Sequence, residues 1–429
     1  MAFDTLRLIL VALKFVVPFA FPALIDQIQV IIHKRTYKAV DSPKNVVVVG
    51  GSFAGVQVAQ KLANSVPTGY KVILIERNSH FNYTFNFPRY TVLQGHGRLA
   101  FIPYDHITKS VPAGSLEHVR GSVAEIKQGT VILQSGEQIS YDFLVLATGC
   151  SQSPPAKLSS TERSSACEEL QGYQQSIERS DRIAVVGGGA VGVELVADVK
   201  SYYPDKHVTL IHSRSQLLPR FGPRLHRHVL GSLEKLGVEV LLSERPEIRT
   251  FKSEDGEKGS RGAKSLVLKD GRVANFDVVI PCTGQTPHSS ILSTLIPEAI
   301  SASTGRILVH RTLQVAANGK NPVNIFALGD VAETRGPKMA RAAFFQASVV
   351  QKNIVSMIGG MKPSAVYKPQ PTIEGSLKLT IGKTEVVTYC QPENGAEILL
   401  TSSKGRDDLE VERAWKFYGA DIRDAGSLS

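Results

Sequence analysis

The residues best placed to do chemistry gather where three apolar runs end. Val46–Val49 runs into Gly50, Gly51, Ser52, Phe53, Ala54 and Gly55. Arg182–Val186 runs into Gly187, Gly189 and Gly192, a complete G-x-G-x-x-G. A third run, NIFAL from Asn324, ends in Gly329 and Asp330. Strand, glycine turn and helix start together suit a pyrophosphate. Glycines allow a tight turn and close backbone approach, and the helix N-terminus offers unpaired N–H groups with partial positive charge. Ser52 stands where the middle glycine of the first copy would be.

The next strand of each copy decides what sits beyond the pyrophosphate. KVILIERN closes on Glu76, a carboxylate suited to ribose hydroxyls. In the second copy HVTLIHSRS offers His212, Ser213 and Arg214 instead. An acid there would repel a 2′-phosphate, whereas Arg214 can pair with one. NADPH, or both NADH and NADPH, is therefore expected at the second site, unless Arg214 merely faces solvent. Glu194 begins the helix after the second turn. It either turns toward the nicotinamide or is a plain helix-start acid favoured by the dipole.

YDFLVLATGC (Tyr141–Cys150) and ANFDVVIPCTGQTP (Ala274–Pro287) echo each other, with Gly149 and Gly284 in matching places. The chain thus reads as α/β, with two Rossmann-like dinucleotide-binding domains and a small α+β C-terminal domain. Expected limits are 41–155 with 276–360 for the first, 156–275 for the second, and 361–429 for the last. RTFKSEDGEKGSRGAK (Arg249–Lys264) reads as a surface hairpin loop. Arg89 lies among aromatics in SHFNYTFNFPRYTVL, a donor fork able to reach a pyrophosphate or ring carbonyl. Lys338 precedes a helix expected to start at Pro337, whose positive end would face a reduced ring.

Composition narrows the partners. The 429 residues carry a net charge of +10, but no basic tract beyond His33–Lys38 and no nucleic-acid-binding signature. Nucleic acid is not expected. Cys150, Cys167, Cys282 and Cys390 form no CxxC and no metal spacing, so no metal site is expected. No cysteine lies between Gly55 and Leu146, which removes the dithiol relay of disulfide reductases. Residues Leu6–Ile32 are strongly apolar, broken by Arg7, Lys14, Asp26, Pro18 and Pro22. A spanning helix, an interfacial helix and a helix docked on the protein body all remain open, with membrane attachment favoured. The segment 1–40 is therefore expected to contact membrane lipid.

GGSFAG, YDFLVLATG, GGGAVGVE, VTLIHS, LLSER, NIFALGD with PKMA, and the C-terminal KGRDD and AWK resemble the two-dinucleotide-binding flavoprotein reductases. The likeness is to their AMID-like, ferroptosis-suppressor branch, related to type II NADH dehydrogenases. It extends from Val46 to about Lys416. The resemblance implies FAD held by Gly50 through Ala54 and Glu76, with further contacts from Arg89, Val123 and Asp330. It implies NADH or NADPH at Gly187, Gly189, Gly192 and Glu194, and Lys338 beside the flavin. The ferroptosis suppressor is attached through an N-terminal myristoyl glycine. Met1-Ala2 offers none, so the apolar segment would take that role. The expected activity is transfer from NAD(P)H through FAD to a quinone or other small acceptor, at a mitochondrial or other cytosol-facing membrane, with a homodimer possible. A biosynthetic enzyme tailoring an aromatic quinone, or a nucleic-acid-binding cell-death flavoprotein, are the alternatives.

Overall fold

Val46, Val47 and Val48 have no solvent exposure because their strand lies in the middle of a sheet covered on both faces. The computed structural model describes residues 2–250, 264–317, 323–393 and 395–426. The first sheet has five strands, ordered Ile325–Ala327, Phe143–Leu146, Lys44–Val49, Tyr70–Glu76 and Leu116–Arg120, all parallel. Helices Phe53–Ala63 and Ala340–Ile358 pack together on it through Val56, Ala59, Ala343, Ala347 and Val350.

A second parallel sheet repeats the plan with Glu239–Leu242, His207–His212, Arg182–Val186 and Val278–Pro281. Here the expected boundary at 275/276 needs correction. Val278–Pro281 pairs with Ile183–Val186, so the chain leaves the second unit only after Pro281. The reason lies in the duplication: each unit is closed by its own last strand, as Phe143–Leu146 closes the first. Strands Glu247–Thr250 and Lys264–Val267 form an antiparallel pair. Most of the hairpin loop expected between them lies outside the described residues.

The third sheet is antiparallel, built from Leu377–Ile381, Glu385–Cys390 and Ile398–Ser402. The helix Val411–Phe417 follows it, and carries Trp415 into the first core, where its Nε1 donates to the Leu99 carbonyl at 2.8 Å.

Arg89 joins these three parts. It is 1% exposed, and its Nε lies 2.8 Å from Asp198 on the helix of the second unit. Its Nη2 donates to the Gly382 carbonyl at 2.7 Å, and Nη1 reaches the Arg406 carbonyl at 3.4 Å. A flavin contact was expected of this residue; the structure gives its fork to protein partners instead. Asp198 has no solvent exposure, and burial pushes its pKa up to about 6 despite Arg89. Removing one partner of such a buried pair leaves the other charge uncompensated, a loss of about 3–5 kcal/mol. Arg89→Met should therefore lower the melting temperature sharply, and Arg89→Met with Asp198→Leu should recover much of it. An unchanged melting curve for the single variant would rule out this role.

The helix Ala2–Thr36 is tied down at both ends. Near its start, Asp4 pairs with Arg224 at 2.6 Å and Arg7 donates to the Ala396 carbonyl at 2.6 Å. Near its end, the His33 ring bonds the Val66 carbonyl at 2.7 Å. A helix fixed to the body at both ends cannot thread a bilayer, which corrects the spanning alternative. Among the described residues, no helix is long and apolar enough to cross a membrane. Leu10, Leu13, Leu24, Ile28, Ile31 and Ile32 nonetheless remain exposed along it.

Candidate functional site

The two glycine turns share one backbone plan. Gly50 N–H donates to the Ile75 carbonyl at 2.8 Å, and Gly187 N–H to the Ile211 carbonyl at 2.8 Å. Gly50 and Gly187 have φ of +101° and +131°, values that side-chain-bearing residues rarely adopt. A Cβ on Gly55 would lie 1.6 Å from the Gly50 carbonyl oxygen, and one on Gly192 1.9 Å from that of Gly187. Each third glycine thus lets a helix start directly against its own turn. The N-cap residues Ser52 and Gly189 are extended, with no side-chain bond closing either helix start. That leaves backbone donors for an anion.

The second positions differ in one respect. Gly51 N–H donates to Glu76 Oε2 at 2.5 Å, while Gly188 N–H donates to His212 Nδ1 at 3.0 Å. Glu76 Oε1 accepts from Asn78 N–H at 2.8 Å. Tyr104, which sequence reasoning missed, donates its buried hydroxyl to the Gly51 carbonyl at 2.6 Å. A lone tyrosine in YDHITKS carries no motif that would have found it.

Asp330 comes to the first turn because Gly329 sits against Ala54. A Cβ on Gly329, whose φ is +76°, would lie 3.0 Å from that of Ala54. Gly329 N–H is held by Gln346 Oε1 at 2.8 Å, and Arg306 Nε donates to the Asp330 carbonyl at 3.0 Å. Cys150 Sγ lies 3.4 Å from Asp330 Oδ2. Gly149 and Gly284 both take positive φ, at +69° and +79°, just past the strand ends they were expected to mark. Val123 is half-buried, at the start of a strand that follows Gly121, whose N–H donates to the Glu76 carbonyl.

Lys338 is held on the same side of the first unit. Its Nζ donates to the Ala332 carbonyl at 2.5 Å and to Thr334 Oγ1 at 2.8 Å. Burial, with Arg306 nearby, pulls its pKa down to about 8. The helix it precedes starts at Ala340 rather than Pro337. Glu194 turns toward the third sheet, where Thr380 N–H donates to its Oε1 at 3.0 Å and Thr380 Oγ1 at 3.2 Å. It is half-buried by area, yet the protein packed around its carboxyl pushes its pKa up to about 8. Arg214 is exposed beside His212.

Residues 44–347 match the pyridine nucleotide-disulphide oxidoreductase family model. The chain belongs to that family. It is 33% identical to Fe-regulated protein 8 of Mycosarcoma maydis over 89% of this chain and 96% of that protein. It is 32% identical to human ferroptosis suppressor protein 1 over 87% of this chain and 95% of that one. Its fold is similar to the sulfide:quinone oxidoreductase of Aquifex aeolicus, with a TM-score of 0.67, 18% identity, and 90% and 92% of the two chains covered. The chain is accordingly an FAD- and NAD(P)H-dependent oxidoreductase of the AMID-like branch.

The first turn fits FAD on its own geometry. A Cβ on Gly50, Gly51 or Gly55 would collide with the Ala147 carbonyl, the Glu76 side chain or the Gly50 carbonyl, so only glycine lets this turn close, with Glu76 beside it and Gly329, next to Asp330, against Ala54. Gly55→Ala should give protein without bound flavin, read as loss of visible absorbance. Gly192→Ala should keep the flavin and lose anaerobic bleaching by NAD(P)H. Retention of both properties in both variants would refute the assignment of one turn to each nucleotide.

Proposed function

We propose that this chain carries reducing equivalents from NAD(P)H to a quinone-type acceptor at a membrane surface, with no disulfide step. The observation that carries the reading is the paired set of glycine turns, one flanked by Asp330, in a chain whose four cysteines are all free. Burial pushes the Cys150 thiol up to about 11 and the Cys282 thiol up to about 12, so neither is a thiolate near neutral pH. Overall, NAD(P)H, one proton and a quinone give NAD(P)+ and a quinol. When bound at the first turn, FAD would supply the two-electron redox chemistry between donor and acceptor.

The protein's own share is to place and charge the site. Gly50–Gly55 and Glu76 fix the first nucleotide, and Gly187–Gly192 the second. Lys338 supplies a cation just before the helix Ala340–Ile358, whose N-terminus adds partial positive charge. Because its pKa is lowered to about 8, Lys338 is cationic below that pH and neutral above it. NAD(P)H oxidation with a short-chain ubiquinone should therefore fall as pH rises through about 8. Lys338→Met should be slower and lack that limb. Equal rates and equal profiles would remove Lys338 from the site. A colourless protein that oxidises neither NADH nor NADPH would sink the whole reading.

For attachment, the helix Ala2–Thr36 is fixed to the body near both ends, with Leu10, Leu13, Leu24, Ile28, Ile31 and Ile32 exposed along it and Lys34 and Arg35 exposed at its end. That pattern suits the interface of an anionic bilayer, at a mitochondrial or other cytosol-facing membrane. Co-sedimentation with phosphatidylserine-containing vesicles should be clear for the full chain and weak for Leu10→Asp with Ile28→Asp. Equal sedimentation of the two would overturn this surface.

A further inference from the structure

Asp330 and Lys338 each follow closely on a glycine, Gly329 and Gly336, and one buried chain of side chains holds both glycines from behind. Gly329 N–H donates to Gln346 Oε1 at 2.8 Å. The Gln346 side chain also bonds the Tyr367 hydroxyl, and that hydroxyl donates to Glu374 Oε2 at 2.5 Å. Because the Tyr367 proton goes to Glu374, the Gln346 amide N–H is what meets the hydroxyl oxygen. A Cβ on Gly336 would lie 2.1 Å from that oxygen and 3.2 Å from Glu374 Oε2, so Gly336 is seated directly on the pair. Gln346 and Tyr367 are buried, and Glu374 has no solvent exposure.

Tyr367 and Glu374 lie past residue 347, where the match to the family model ends, in the connection from the helix Ala340–Ile358 to the third sheet. That connection is itself pinned. Tyr367 N–H donates to the Arg311 carbonyl at 2.7 Å, and Asn353 Nδ2 donates to the carbonyls of Thr312 and Ala365 at 2.9 and 2.8 Å. The short helix Pro371–Glu374 covers the neighbour of Gly336, since a Cβ on Gly375 would lie 3.6 Å from Pro337 Cγ. A buried carboxyl is costly unless it is hydrogen-bonded, and burial raises the pKa of Glu374. The Tyr367 hydroxyl is thus fixed between an amide donor and a carboxyl acceptor. The charged groups around Lys338 are Arg306, Glu333, Asp330 and Arg220, none of them in this connection. Any influence of Tyr367 on Lys338 therefore runs through the seat of Gly336 and Pro337 and not through charge.

We propose that Tyr367, clamped between Gln346 and Glu374, is a positioning residue for the reaction. It fixes Gly329 and Gly336 together, and so sets where Asp330 and Lys338 stand relative to each other. The inference rests on the reading that these two residues face the flavin. A small displacement of such groups is enough to slow the chemistry while leaving the cofactor bound.

The test uses the purified flavoprotein. Tyr367→Phe should keep its visible absorbance, yet backbone hydrogen exchange across residues 329–338 should quicken about tenfold, the loss expected for one buried hydrogen bond. Its kcat should fall with KM for NAD(P)H unchanged. The alkaline limb assigned to Lys338 should move up by about one pH unit, because a loosened loop returns the ammonium to water. Glu374→Gln keeps an acceptor at the same place and should stay within about twofold of wild type in rate and exchange. Tyr141→Phe removes another buried hydroxyl, one bonded to the Lys127 carbonyl at 3.0 Å. It should lower the melting temperature without moving the limb or the exchange at 329–338. Unmoved exchange and an unmoved limb in Tyr367→Phe overturn the clamp while leaving the role of Lys338 intact. So does a Glu374→Gln variant that falls as far as Tyr367→Phe. If Lys338→Met itself keeps the limb, the underlying reading is lost and this inference with it.

Discussion

The structure depends on a backbone contact that only glycine allows. At Gly55 and again at Gly192, the first turn of a helix rests against the carbonyl of the turn that precedes it. Strand, turn and helix are thereby locked into one rigid corner, with backbone N–H groups pointing out of it. The other parts of the site are referred to that corner. Gly329 brings Asp330 against Ala54, and Glu76 and His212 clasp the second residue of each turn from the neighbouring strand. A bulkier residue at the contact would not merely weaken binding. It would move the helix and everything aligned to it.

The parallel cores were legible because their strands are short, β-branched and buried on both faces, leaving apolar runs that end abruptly in glycine. The placing of Asp330 near the first turn was implied by the family resemblance of NIFALGD, and Gly329 lies against Ala54. The partners of Arg89 were not legible. Its type and its aromatic surroundings suit a phosphate as well as a carboxylate, and the carboxylate that claims it, Asp198, lies over a hundred residues away on a helix of the other unit. Long-range partners of this kind leave no local spacing to read. The same holds for Gln346, Tyr104 and Thr380, each of which acts through one backbone or carboxylate contact. The boundary near residue 276 failed for a related reason. A closing strand and an opening strand look alike in sequence, and only their pairing tells which sheet they finish.

Charge is distributed to match these contacts. The first unit keeps a carboxylate where a ribose is expected, and the second replaces it by a neutral ring. Lys338 stands beside the first unit, softened by burial to a cation that neutralises just above neutral pH. The four cysteines are free, and burial raises the thiols of Cys150 and Cys282.

The Arg89 pin bears on geometry as well as on stability. Arg89 sits on a short helix of the first unit, Asp198 on the nucleotide helix of the second, and Gly382 and Arg406 in the C-terminal part. Opening a hinge between the two units would pull a buried guanidinium from Asp198 and from two carbonyls at once. Large swings of one unit against the other are thus strongly opposed. The relative placing of the two glycine turns is thereby held by a buried ion pair and two carbonyl contacts rather than by the linking chain alone.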